Sequence, residues 1–172
     1  MTKTVFLGAV AAAAAVLLST GAQAAEGDTL RAVKQRGELI CGVNPGLVGF
    51  AAPDANGNWS GFDISLCRAI AAAVVGDANK VRFVPTTGQT RFTALSSGEV
   101  DVLTRNSTAS FQRDTELALD FPAVNYYDGQ GFMVRKDLGV SSATELDGAT
   151  ICIQTGTSTE LNLADWFKAN NM

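Results

Sequence analysis

Residues 81–106 read VRFVPTTGQTRFTALSSGEVDVLTRN, a stretch that sets a strand, a helix and another strand in close succession. Val81 to Val84 predicts the first of these strands, Arg91 to Ser96 the helix, and Val100 to Leu103 the second strand. Upstream, Ile64, Cys67, Ile70, Ala71 and Val74 recur at three- and four-residue steps, which predicts a helix capped by Asp63 and ended by Gly76-Asp77. That apolar stripe has to cover a sheet. Glu38 to Val43 predicts a short buried strand, entered from a helical lead-in at Thr29 to Gln35 through a turn at Arg36-Gly37. The intervening Asn44 to Gly61 is a loop rich in Gly, Pro and Asn, with a hairpin-type turn signal at Asp54-Ala55-Asn56-Gly57. The β-α-β-α-β alternation predicts an α/β layer with mostly parallel strands.

Downstream, Tyr126 to Arg135 predicts a strand, Thr144-Glu145-Leu146 a short helix, and Thr150 to Gln154 a buried strand. Thr155-Gly156-Thr157-Ser158-Thr159 then leads into a helix with Leu161, Leu163, Trp166 and Phe167 on its apolar positions, so a second β-loop-α unit begins here. Ligands of open parallel sheets sit beyond the carboxyl ends of the strands, which directs attention to the loops at Asn44 to Phe50 and Thr104 to Arg113.

The N-terminus settles the compartment. Lys3 supplies a positive charge, Val5 to Leu18 an apolar run, and Ala22-Gln23-Ala24 the small residues of a cleavage site. The run is shorter than the roughly 20 residues a spanning helix needs, so residues 1–24 are expected to be a cleavable signal peptide. The mature chain is expected to be soluble and periplasmic. With 13 Lys+Arg against 17 Asp+Glu and no basic run, nucleic acid is a poor partner. The absence of His removes the commonest metal ligand and excludes Ser-His-Asp and Cys-His hydrolysis. Cys41, Cys67 and Cys152 lack metal-site spacing, so no metal and no cofactor are expected. One pair can close, and Cys41 with Cys67 is the natural candidate. A strand and its covering helix, however, normally lie too far apart for the roughly 4.4–6.8 Å that a disulfide tolerates. Both outcomes stay open, and unbridged cysteines would behave as small buried apolar residues.

Two features suggest anion binding. Gly156 to Thr159 presents amides and hydroxyls at a helix start, which is either an anion site or an ordinary Ser/Thr cap. Arg113 follows the polar run Asn106, Ser107, Thr108 and Ser110, and its guanidinium can grip a carboxylate through two parallel hydrogen bonds or stand solvated on the surface.

The segments Cys41 to Gly46 with Trp59 to Ile64, Gly98 to Asn106, Asp120-Phe121 with Asn125 to Phe132, and Thr155 to Asn162 together resemble the periplasmic polar amino-acid binding proteins of ABC importers. Within that group, which is the bacterial extracellular solute-binding protein family 3, the general L-amino-acid binding proteins are the most similar. The resemblance implies a type II periplasmic binding protein-like α/β fold, with two lobes around a central cleft. It divides the chain into a first lobe at 25–128 and the start of a second at 129–172. It implies that Arg113 clamps the ligand α-carboxylate with help from the Thr108 amide, and that the Asn106 carbonyl and Thr108 hydroxyl accept from the α-ammonium. Asn44, Leu47, Phe50 and Arg105 would line the side-chain pocket, while Gln154, Thr157 and Ser158 would close from the second lobe.

Two departures shape the expectations. Leu47 and Val48 stand where many relatives carry a stacking aromatic. The second lobe is also shorter than the family's, so the chain is expected to be C-terminally truncated and, as written, not to bind ligand. The expected partners are an L-amino acid, with Glu, Gln, Asp and Asn favoured, and an inner-membrane ABC permease. A dehydratase on the same fold is the competing class, but the pocket loops offer Arg, Asn, Ser and Thr and no carboxylate for acid-base work.

Overall fold

The structure, a computed structural model, describes residues 27–172; the signal peptide expected at 1–24 lies outside them. The element order begins with α1 (Asp28–Arg36), β1 (Leu39–Val43), a two-residue hairpin pair β2 (Ala52–Pro53) and β3 (Trp59–Ser60), then α2 (Phe62–Val75) and β4 (Val81–Pro85). It continues with α3 (Arg91–Ser96), β5 (Val102–Leu103), α4 (Phe111–Glu116), two 3-10 turns at Lys136–Leu138 and Ala143–Leu146, and α5 (Ser158–Ala169).

The main sheet runs β4-β1-β5 and is parallel throughout, with Leu39 opposite Val81 and Cys41 opposite Val102. The path leaves β1 through α2 toward β4, then returns through α3 past β1 to β5. Right-handed crossovers in opposite directions put their helices on opposite faces, and the packing agrees. Cys41 and Val43 meet Ile64 and Cys67 of α2, and Leu39 meets Ala71 and Val33, while Ile40 on the other face packs with Ala94 of α3 and Val100. All five residues of β1 are therefore buried. Gly42 faces the α3 side, where a Cβ would stand 2.5 Å from the Leu103 side chain.

Several expectations are corrected. Asp63 does not cap α2: Gly61 holds that position and Asp63 lies in the first turn, buried. The strands expected at 126–135 and 150–154 are not formed. No described strand pairs with either segment, and a strand exists only through a neighbour that takes up its N–H and C=O groups. Tyr127 and Met133 are accordingly 87% and 99% exposed. Cys152 is free and exposed instead of buried.

Cys41 and Cys67 form a disulfide, with Cα atoms 6.2 Å apart. The separation of layers is measured from the helix axis, whereas a sheet-facing Cα stands about 2.3 Å nearer the sheet. At the level of the bridge the facing residues of α2 are Cys67 and, one turn on, Ala71, both small, while the bulkier Ile64 packs a turn earlier toward Val43. Reduction of this bond is expected to lower the unfolding free energy by about 3 kcal/mol, because the cross-link spans a sequence separation of 26 residues. Denaturant unfolding with and without a thiol reductant checks it; coincident midpoints would contradict the assignment.

Candidate functional site

Parallel pairing brings the carboxyl ends of β1, β4 and β5 to one edge of the sheet. Thr86 extends the ladder past β4 by donating to the Val43 carbonyl at 2.9 Å, and the Thr104 amide donates to Gly42 at 3.0 Å. The chain leaves β1 at Asn44, β4 at Thr86 and β5 at Thr104, with β1 between its two neighbours. Such a crevice, where the connections diverge, is where an open α/β sheet binds ligands.

Three arginines converge near this edge: Arg91, Arg105 and Arg113 are 1%, 8% and 9% exposed. Arg105 donates from one terminal nitrogen to the carbonyl and hydroxyl of Thr86, and from the other to Asn106 Oδ1 at 3.2 Å. Arg91, the first residue of α3, donates to the Gly88 carbonyl at 2.5 Å and the Gly156 carbonyl at 3.0 Å. The Nε atoms of both are buried without a partner. Arg113 differs. It sits in the first turn of α4, whose Ser110 cap accepts from the Arg113 amide, and its guanidinium donates to the Thr108 carbonyl at 2.7 Å. That is the one hydrogen bond described for its guanidinium, and its remaining side-chain nitrogens are not among the buried unpartnered atoms. The Phe92 ring lies 4.3 Å from the Arg91 guanidinium carbon and 4.9 Å from that of Arg113.

The electrostatics are lopsided. Burial, with Arg105 and Arg113 as like-charged neighbours, depresses Arg91 to about 10. Burial also lowers Arg105, which the Asp63 carboxylate opposes, and it lowers Arg113. Asp63 is itself pushed up to about 6 by burial, against the pull of Arg105, and its Oδ2 has no hydrogen-bond partner. None of the three arginines takes part in the described salt bridges. The edge therefore offers excess positive charge that an anion would relieve.

The residues singled out from the sequence fall as follows. Asn44 donates to Asn106 Oδ1 at 2.9 Å, which joins the loops after β1 and β5. Leu47 closes a tight turn by pairing with Ala51, and Phe50 packs edge-on to Phe62 and Tyr126. Thr108 is exposed and Ser158 is half-buried at the start of α5. Thr157 caps α5 by accepting from the Glu160 amide at 3.2 Å while donating to the Gln154 carbonyl at 2.7 Å. Glu160 in turn accepts from the Gly156 amide at 2.8 Å, so its carboxylate reaches back one residue beyond the cap that a capping box would engage. The loop abuts the one before α3. A Cβ on Gly88 would stand 2.8 Å from the Thr155 oxygen, and one on Gly156, at φ +77°, 3.0 Å from the Gly88 oxygen.

Sequence reasoning missed Thr86, Gly88, Arg91, Phe92 and Asp63. The loops after the first and third strands are the positions expected from the sequence, yet a parallel partner delivers its own carboxyl end to the same edge. The signal was present in Thr86-Thr87-Gly88-Gln89-Thr90-Arg91, a polar loop that follows the strand directly.

A family model described as bacterial extracellular solute-binding proteins, family 3, matches residues 39–170. The glutamate/glutamine/aspartate/asparagine-binding protein BztA of Rhodobacter capsulatus is 71% identical over 172 residues, which is 100% of this chain and 49% of that protein. The general L-amino acid-binding periplasmic protein AapJ of Rhizobium johnstonii is 60% identical over 162 residues, 94% of this chain and 48% of that one. A solved ABC transporter periplasmic binding protein from Brucella ovis, with glutathione bound, matches with a TM-score of 0.81 at 58% identity, covering 86% of this chain and 46% of its own. The chain spans about half the length of the curated relatives it matches.

Asp63 gives the fold a pH signature. Its folded pKa, about 6, lies above the ordinary 3.8, so between these values the folded state holds a proton that the unfolded state has released. Stability from this group is greatest at the acidic end and falls as pH rises from about 4 to about 6, by at most about 3 kcal/mol. Asp63→Asn is expected to flatten that dependence. Thermal melts of both forms across this range check it, and parallel curves would contradict it.

Proposed function

The chain belongs to the bacterial extracellular solute-binding proteins, family 3, and we propose that its site captures free polar L-amino acids for delivery to an inner-membrane ABC permease. The observation that carries this reading is Arg113. Its guanidinium makes a single described hydrogen bond, to the Thr108 carbonyl, whereas Arg91 and Arg105 each bridge two residues. An α-carboxylate docking there meets a fork of N–H donors and excess positive charge. In this reading the Thr108 amide assists the clamp, while the Asn106 carbonyl and the Thr108 hydroxyl take the α-ammonium. Asn44, Leu47, Phe50 and Arg105 shape the side-chain pocket from the first lobe, 25–128, and Gln154, Thr157 and Ser158 approach from the second, 129–172.

The preference for Glu, Gln, Asp and Asn draws on the polar groups around the crevice and on the name of the Rhodobacter relative. Burying an apolar ligand side chain there would leave donors unpaired. Periplasmic residence is supported by the N-terminal signal pattern, by the name of the Rhizobium relative and by a disulfide of the kind that persists in oxidising compartments. The protein acts as a carrier and not as an enzyme. Asp63, the carboxyl group that interacts with Arg105, is 3% exposed and has no open face for acid-base work on a substrate. A second reading, capture of glutathione, is favoured by the glutathione bound in the Brucella ovis structure. Glutathione also presents a free α-carboxylate to the same clamp.

Titration calorimetry on the full-length protein tests both readings with L-Gln, L-Glu, L-Leu and glutathione. Tighter binding of Leu than of Gln would overturn the polar preference. Arg113→Ala is expected to cost about 2–5 kcal/mol of binding, and Arg113→Lys to recover part of it. Binding within threefold of the parent in the Ala variant would remove Arg113 from the site.

A further inference from the structure

We propose that Phe92 is a positioning residue: its ring holds the guanidinium of Arg113 beside that of Arg91 so that Arg113 presents its donors to an anionic ligand group. The inference rests on the reading of Arg113 as the carboxylate clamp. The ring centroid lies 4.3 Å from the Arg91 guanidinium carbon and 4.9 Å from that of Arg113, both within the range of a cation–π contact. No other described ring lies under either guanidinium, and neither cation has an acidic partner among the described salt bridges.

Two like charges brought together away from water repel each other; burial and Arg105 depress the Arg91 pKa most, and Arg113 adds to it. A carboxylate between them would relieve the repulsion and would also occupy the site. The negative π-face of a phenyl ring relieves it without supplying an acceptor that competes with the ligand. Phe92 is half-buried, and the chain supplies the two cations from different elements, Arg91 at the start of α3 and Arg113 in the first turn of α4. Arg113 is otherwise oriented by one hydrogen bond, to the Thr108 carbonyl in its own loop. The ring is therefore the contact that ties the orientation of Arg113 to α3 across the crevice.

A double-mutant cycle on the full-length protein, read by titration with L-Gln, tests this. Phe92→Leu and Phe92→Met keep apolar volume but lose the π-face, and each is expected to weaken binding about 10-fold. Phe92→Tyr keeps the face and is expected to stay within about threefold of the parent. In an Arg113→Ala background, Phe92→Leu is expected to cost nothing further, because the ring acts through Arg113. The inference is overturned if Leu and Met bind within twofold of the parent, if Tyr loses as much as Leu, or if the Leu loss is the same with and without Arg113. Binding by Arg113→Ala at the parental level would instead remove the clamp itself. Using both Leu and Met keeps the cycle readable if one of them fails to fold.

Discussion

β1 has no solvent face, and this constraint organises the rest. A parallel strand flanked by β4 and β5 takes its hydrogen bonds on both edges, so its side chains must be covered above and below. The odd positions, Leu39, Cys41 and Val43, turn to α2 and the even position Ile40 to α3. The same alternation aims Cys41 at Cys67, and Thr104 at the end of β5 lies against both sulfurs while donating to the Asp63 carbonyl. The disulfide thus ties strand, helix and the beginning of the β5 loop at one point, directly beneath the crevice.

Above that point the chemistry is cationic. Arg105 spends its terminal nitrogens on Thr86 and Asn106, and Arg91 spends its own on Gly88 and Gly156, so both act as struts between backbone segments. Buried charges held by carbonyl dipoles in place of carboxylates keep the local field positive. Below about pH 6 Asp63 takes little from that field, because desolvation favours its neutral form, whereas at neutral pH its carboxylate offsets part of the charge of Arg105. The geometry differs among the three: two arginines bridge backbone segments, while the guanidinium of Arg113 makes one described hydrogen bond within its own loop.

The sequence made the α/β alternation, the parallel sheet, the short α3 and the α5 capping region legible, because each has a local signature in periodicity or capping chemistry. The strands expected at 126–135 and 150–154 had such signatures too, and failed because strand formation depends on a neighbour that local pattern does not encode. The disulfide was obscured for a related reason: the distance between β1 and α2 depends on the small size of Cys67 and Ala71 together, a property of the packed pair. In the candidate site, the polar run before Arg113 drew notice to a residue that the structure buries beside the other arginines, away from the solvated surface position also open to it. Arg91 and Phe92 were not legible, since their meaning comes from the crossing of β4 back past β1, which sets α3 beside the loop that carries Arg113.

The contact between Gly88 and Gly156 shows how that crossing reaches across the crevice. Two loops meet backbone to backbone because neither carries a Cβ at the point of approach, and Gly156 also takes a positive φ that other residues rarely adopt. Close approach leaves two carbonyls facing one small region, and carbonyl dipoles aligned there need a donor. Arg91 supplies it to both at once. The Glu160 carboxylate, in the first turn of α5, holds Gly156 from its other side by accepting from its amide. The position of the α5 loop is therefore read by the same cation that sits on the Phe92 ring. A shift of that loop away from Gly88 would strip Arg91 of one of its two acceptors and leave a buried charge less satisfied, so the energetics of the arginine cluster and the approach of the α5 loop are bound together.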